Sequence, residues 1–294
     1  RVRTEAAIVA LSRRYPRYGY RRIHALVERQ GHRCARRTVQ RVQRQEGLRV
    51  AGPSRRPKCP PRPESKIRSE GVNDVWCLDL VFDVTTSGTT IKFLTIIDEG
   101  SHYCIDIVAS RQLGAAEVIR AVQAAIAVHG TPRHLRCDNG GEFVARVLQE
   151  WLAQAGIRIR FIEPGSPWQN GLNESFNGRF RDECLNRELI GSVLEAQGSA
   201  RAFREEYNTE RPHSSIGYQV PARYRTRLLG QAPTLPTTLN STDNPAKLSP
   251  EVVHIRESGH GQGTYFQRLP PCQPLASPQR CSNALARNYR SELR

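Results

Sequence analysis

Methionine is absent from all 294 residues, the first position included, so the chain is expected to begin inside a longer product. Cysteine occurs eight times but never as a Cys-x-x-Cys pair. That spacing removes the usual framework for structural zinc and points to reduced thiols in a cytosol. Only Cys34, His24 and His32 keep a zinc reading open. No apolar run approaches the roughly 18 residues of a membrane span, and no signal sequence opens the chain. Acidic residues are scarce at one end. Residues 1–70 hold 20 Lys or Arg against 5 acids, nearly the whole net charge of +16, while the remainder balances at 24 against 23.

So concentrated a positive charge is the footprint of a phosphate-binding segment. Its apolar residues are periodic, which argues against a merely solvated tail. Ala6, Ile8, Val9 and Leu11 mark a first helix, and Tyr18 to Ile23 opens a second carrying Leu26 and Val27. A third is expected from about Arg36 to Gln45, with Val39 and Val42 inward and Arg36, Arg37, Arg41 and Arg44 turned to a nucleic acid. Residues 1–60 are expected to supply most of the DNA affinity. Phosphate contacts of this kind carry no base information. Five prolines within 52–64 predict a stiff basic linker, placed over 51–70.

Beyond the linker the pattern is α/β. Strands are expected at 75–83, 91–98 and 102–109, a helix at 114–128, a strand at 133–137, a helix at 143–155 and a strand at 157–162. Helices follow from Gln169 to about Asn186 and at 193–206. The run Val75 to Phe82 reads as a strand buried on both faces, yet it contains Asp79. An ionised carboxylate there costs several kcal/mol unless a metal, a cation or a proton meets it. A strand-end aspartate bonded to backbone amides is the plainer alternative, and Asp74 and Asp83 lie close by. Asp138 ends a short strand before the turn Asn139-Gly140-Gly141, where α/β sheets open their ligand crevices. Alone, it also fits an ordinary turn aspartate. Glu174 falls in the helix from Gln169, where Asn170, Glu174, Gly178 and Arg181 share a face. Such a stripe suits metal and DNA backbone, although a lone Glu and Arg also make an ordinary solvated surface.

Taken together these segments are specific. Ser166-Pro167-Trp168-Gln169-Asn170-Gly171-Leu172-Asn173-Glu174, then Arg181, follows Asp138 with 35 residues between the two acids, and Asp79 sits in Trp76-Cys77-Leu78-Asp79. The set resembles the catalytic core shared by retroviral-type integrases and bacterial insertion-sequence transposases, above all the OrfB-type transposases of the IS-three family. The resemblance covers roughly residues 12–224. It implies an α/β fold, a ribonuclease-H-like integrase core with a mixed sheet and flanking helices over 71–224, preceded by a small all-α helix-turn-helix-like domain over 1–50. It selects Asp79 over Asp74 and Asp83, and Asp138 over Glu142. Asp79, Asp138 and Glu174 would then converge as the catalytic and metal-holding acids. Two Mg²⁺ or Mn²⁺ ions would serve nucleophile, transferring phosphate and leaving oxygen together. Arg36, Arg37, Arg41, Arg44, Asn170 and Arg181 would contact DNA.

The implied partner is double-stranded DNA, insertion-sequence ends and target, bound by a homo-oligomer on paired ends in the bacterial cytoplasm at the nucleoid, with no membrane. An upstream frame joined by ribosomal frameshifting would account for the missing start. Tyr207 to Tyr218 and Pro221 to Tyr224 resemble the usual ending of the family, with His213 read as packing or touching the DNA backbone. Val81 departs from the pattern, which often has a hydroxyl residue two positions after the first acid. Residues 225–294 match no pattern and, with 8 prolines in the last 64, read as a disordered tail or as translation past the usual stop. A ribonuclease-H-type nuclease would share the acids without needing the Ser-Pro-x-x-Asn-Gly segment or the basic arm. A remnant that only binds DNA would keep the arm and lose the chemistry.

Overall fold

The computed structural model of the protein describes residues 2–50, 69–163 and 167–231. The expected linker, apart from Ser69 and Glu70, and the expected tail beyond Gln231 lie outside the described residues. The arm consists of α1 (Val2–Arg14), α2 (Tyr20–Arg29) and α3 (Arg36–Gln45). Apolar side chains spaced three and four apart turn inward on each helix, so that Ile8, Ile23, Val27 and Val39 are fully enclosed in a core of the arm's own. The one amide in that core, Gln43, donates to the Ser12 hydroxyl at 3.0 Å.

The second part is built on a five-stranded mixed sheet. An antiparallel meander, β1 (Val75–Val84), β2 (Thr90–Asp98) and β3 (Tyr103–Ser110), is extended by β4 (His134–Cys137) and β5 (Arg158–Phe161), each parallel to its neighbour, in the order β3-β2-β1-β4-β5. Side chains alternate across the sheet. On β1 and β2, Trp76, Leu78, Leu94 and Ile96 face α4 (Ala115–His129), α5 (Gly141–Val144) and α6 (Arg146–Gln154). Val81, Ile91, Phe93 and Ile97 face α7 (Gly171–Glu183) and α8 (Val193–Thr209), whose Phe176, Phe180, Phe203 and Tyr207 complete the second apolar layer. Glu117 opens α4 by accepting the Gly114 amide at 2.9 Å. Gly130, at φ 85°, ends the same helix in a conformation that favours glycine.

Two expected helices are interrupted or shortened, and one helix was not expected. Ala145, extended at ψ 129°, divides the helix expected over 143–155 into α5 and α6. The helix expected from Gln169 begins as a 3-10 turn, Pro167–Asn170, and ends in another, Leu185–Arg187, on either side of α7. The chain after α8 continues into α9 (Pro221–Gln231), so the core boundary expected at 224 falls inside a helix and the first seven residues of the expected tail are helical. Among the described residues, no helix is long and apolar enough to cross a membrane.

Candidate active site

Asp79 and its register partner Thr95 form a polar island in the otherwise apolar face that meets α7. One Asp79 oxygen accepts the Leu80 amide at 2.8 Å and the other accepts the Asn177 side-chain amide at 2.8 Å. Asn177 in turn accepts the Thr95 hydroxyl at 3.1 Å, and that hydroxyl also lies 3.2 Å from the Asp79 carbonyl. Asp79 therefore has one backbone and one side-chain amide donor and, among the described residues, no cationic side chain as a partner. Burial pushes its pKa from 3.8 up to about 6, and the negative charges of Asp138 and Glu174 push in the same direction.

Asp138 stands exposed just past β4, where its carboxylate accepts the Gly140 amide at 3.0 Å. Asn139 anchors the turn by donating to the Ile162 carbonyl at 2.8 Å. Glu174 is exposed in the first turn of α7. Asp79, in the middle of β1, thus lies within electrostatic reach of both Asp138 and Glu174. Among the described residues, however, no group of three or more His, Cys, Asp or Glu side chains is arranged to hold a metal ion.

The neighbouring acids have other partners. Asp74, buried, accepts the Glu70 amide at 2.8 Å and lies 3.5 Å from both Arg133 and His134. Asp83 accepts the Val84 amide, and Glu142 pairs with Lys92 at 3.2 Å. On α7, Glu174, Gly178 and Arg181 are open to solvent, and Arg181 donates to the Phe82 carbonyl at 3.0 Å. Asn170 departs from the expected stripe because it is only 4% exposed at the start of α7. Sequence reasoning missed Asn177, although its place three residues after Glu174 on the same helix was a usable signal. It also missed Arg136, buried in β4, which donates to Glu99 at 2.9 Å and to the Gln169 carbonyl at 3.2 Å, tying the 3-10 turn to the strand that delivers Asp138. Val81 is buried in the apolar layer and gives Asp79 no polar support. His213 packs edge-on against Tyr207, with ring centroids 4.5 Å apart. Burial, then the charges of Arg211 and Arg179, lower its pKa to about 2, so it stays neutral.

Residues 69–167 and 155–221 match profiles described as Integrase core domain, and residues 3–58 match one described as HTH-like domain. The chain is 36% identical over 219 residues to the insertion element IS407 uncharacterized 31.7 kDa protein of Burkholderia multivorans, covering 74% of this chain and 79% of that one. It is 26% identical over 229 residues to the transposase InsD for insertion element IS2 of Escherichia coli, covering 71% and 73% respectively. The chain belongs to the IS-three family of insertion-sequence transposases. In fold, the transposase is also similar to the HTLV-2 integrase catalytic core domain in complex with magnesium, at 20% identity and a TM-score of 0.45, over 54% of this chain and 99% of that one. An HTH-like domain beside an integrase core implies DNA as the partner.

The HTH-like arm of this transposase lies against the integrase core, and arginines hold it there. Glu183, at the end of α7, accepts Arg211 at 2.7 and 2.6 Å and Arg22 at 3.2 Å. The Arg211 side chain is 1% exposed and that of Glu183 is 7%. Burial opposes the charge on Arg211, yet Glu183 outweighs it and raises the Arg211 pKa. Arg22 fares worse, since burial and then the charge of Arg211 lower it to about 10. Around this centre Tyr18 donates to Glu206 at 3.0 Å, Arg14 pairs with Glu210 at 2.9 Å, and Arg17 pairs with Asp182. Arg29 donates to the carbonyls of Glu210 and Tyr218 at 2.8 and 2.6 Å. Several arginines read from sequence as part of a DNA-binding charge therefore face core carboxylates. On α3, Arg41 pairs with Glu5 at 2.7 Å and Arg36 lies over the Tyr218 ring, while Arg37 and Arg44 are exposed.

Proposed function

We propose that this transposase cleaves DNA strands at insertion-sequence ends and joins them to a target, acting as a homo-oligomer on paired ends, with Asp79, Asp138 and Glu174 as its catalytic and metal-holding residues. The observation that carries the reading is Asp79, a half-buried carboxylate raised to about 6 with the charges of two further acids acting on it. An all-carboxylate donor set suits hard divalent cations such as Mg²⁺ or Mn²⁺, which would relieve that repulsion. When bound, two such ions supply charge stabilisation at the transferring phosphate and activate the attacking oxygen.

The protein's own residues set the stage for this chemistry. Asn177 and the Leu80 amide fix the Asp79 carboxylate in one rotamer. The Gly140 amide aims Asp138 from the strand end, and Arg136 holds the turn that starts α7 against β4. Arg181, exposed near the end of α7, would meet a DNA phosphate, and Arg37 and Arg44, exposed on the arm, would add a further basic edge. Buried Asn170 would act by shaping the turn before Glu174. His213, packed and neutral, is given no role in proton transfer.

The test is strand cleavage of a duplex carrying the element's end by the purified full chain with Mg²⁺ or Mn²⁺. Nicking at the end is expected, as is its loss in Asp138→Asn with DNA binding retained. Cleavage that persists in Asp138→Asn would remove this acid from the set. Preferential cutting of an RNA–DNA hybrid would favour a ribonuclease-H-type activity.

A further inference from the structure

A second basic surface lies where the arm meets α9, and its centre is Tyr218. This residue is held at φ 60°, a conformation uncommon for a bulky side chain, and its amide donates to the His213 carbonyl at 2.7 Å. Its carbonyl accepts Arg29 of α2, and its ring lies 5.8 Å from the Arg36 guanidinium of α3. On the core side, Gln219, Arg223, Thr226 and Arg227 line an open groove of about 660 Å³. Arg227 stacks over Tyr224 at 4.9 Å. Among the described residues, no carboxylate pairs with Arg36, Arg223 or Arg227, in contrast to the arginines of the α1 and α2 seam. Burial, and then the charge of Arg223, lower the pKa of Arg29, which places arm and α9 in one electrostatic neighbourhood.

We infer that this groove, lined by Arg223 and Arg227 of α9, seats the phosphate backbone of duplex DNA, and that Arg36 of α3, over the Tyr218 ring next to Gln219, lets one duplex be gripped by arm and core together. The inference rests on DNA being the partner, as proposed above. Guanidinium groups without a carboxylate partner leave a positive field that a phosphate backbone satisfies, and their planar forks fit phosphate oxygens. Stacking on tyrosine leaves the edge of the fork available for such bonds. Arg223 and Arg227 are one helical turn apart, about 6 Å along the axis. That is the order of one step along a sugar–phosphate strand. The grip is on the backbone, so it adds affinity and register without reading bases.

The experiment measures binding of the full chain to one insertion-end duplex at several salt concentrations. The wild type is expected to weaken steeply with salt. Arg223→Gln/Arg227→Gln should make the slope of log K against log salt shallower by about 0.9 for each phosphate that is no longer neutralised. Arg223→Lys/Arg227→Lys should keep most of the slope. A Gln pair equal to the wild type, or a Lys pair whose slope falls as far as that of the Gln pair, overturns the groove while leaving DNA binding intact. A wild type that is insensitive to salt or fails to bind overturns the wider DNA-binding reading as well.

Discussion

Asp79 sits in a site that stability alone would not favour. Its carboxyl pKa in the fold, about 6 against an ordinary 3.8, means the folded state holds the proton more tightly than the unfolded chain. The metal-free protein should therefore lose stability, relative to Asp79→Asn, as pH rises through that interval. Asparagine can keep both hydrogen bonds if the Asn177 amide flips, because Thr95 can then accept from Asn177 and still donate to the Asp79 carbonyl. Urea midpoints measured for both proteins between pH 4 and 7 check this, with the variant expected to become the more stable one as pH rises. Adding Mg²⁺ should raise the midpoint of the wild type and leave the variant nearly unmoved. Gly140 makes a complementary case. A Cβ there would lie 3.0 Å from an Asp138 oxygen, the mobile tip of a side chain. Gly140→Ala should thus melt like the wild type while cutting strand cleavage by roughly tenfold or more, because a small displacement of a reacting group is expensive in rate.

At the scale of elements, α7 serves three neighbours at once. Its Phe176 and Phe180 build the apolar layer, its Glu174 and Asn177 belong to the acid site, and its last residue holds the arm. Removing Glu183 strands two arginines, one of them almost wholly enclosed, so Glu183→Ala should cost about 3 kcal/mol in denaturant unfolding. Arg14→Ala breaks an ion pair whose partners are 65% and 44% exposed and should change the same measurement by well under about 1 kcal/mol. The strands and the second and third arm helices were legible in the sequence within a residue or two, because period-2 and period-3.6 patterns survive wherever one face is buried, whereas the first arm helix, marked by Ala6 to Leu11, runs longer, over Val2–Arg14. The break at Ala145 was not, since alanine carries no turn signal. Asn170 was misplaced for a related reason. A continuous helix from Gln169 would put it on the open stripe with Glu174, whereas the 3-10 turn rotates it inward.

Across the whole molecule, the legible part was what local pattern encodes and the illegible part was long-range pairing. Asp79, Asp138 and Glu174 were selected by motif and spacing, and the sheet order then follows from the meander and the two parallel additions. Nothing periodic marks Arg22 for Glu183, 161 positions away, or Arg17 for Asp182, 165 away. Composition alone therefore assigned the arm's charge to DNA as a block. Deleting residues 1–50 should lower DNA affinity and also the melting temperature of the core, because it uncovers Arg211 and Glu183. The paired exposed substitutions Arg37→Gln and Arg44→Gln should weaken binding and flatten its salt dependence with no change in melting. Calorimetry and salt titration of the two proteins separate the effects.

The seam also decides what counts as a replaceable part. A DNA-reading arm joined only through a linker could be traded between related elements as a cassette, carrying its specificity to a new core. Here the cassette would arrive without the carboxylates it leans on. A working chimera must import the ends of α7 and α8 together with the three helices, so the unit that can be exchanged is larger than the HTH-like domain itself.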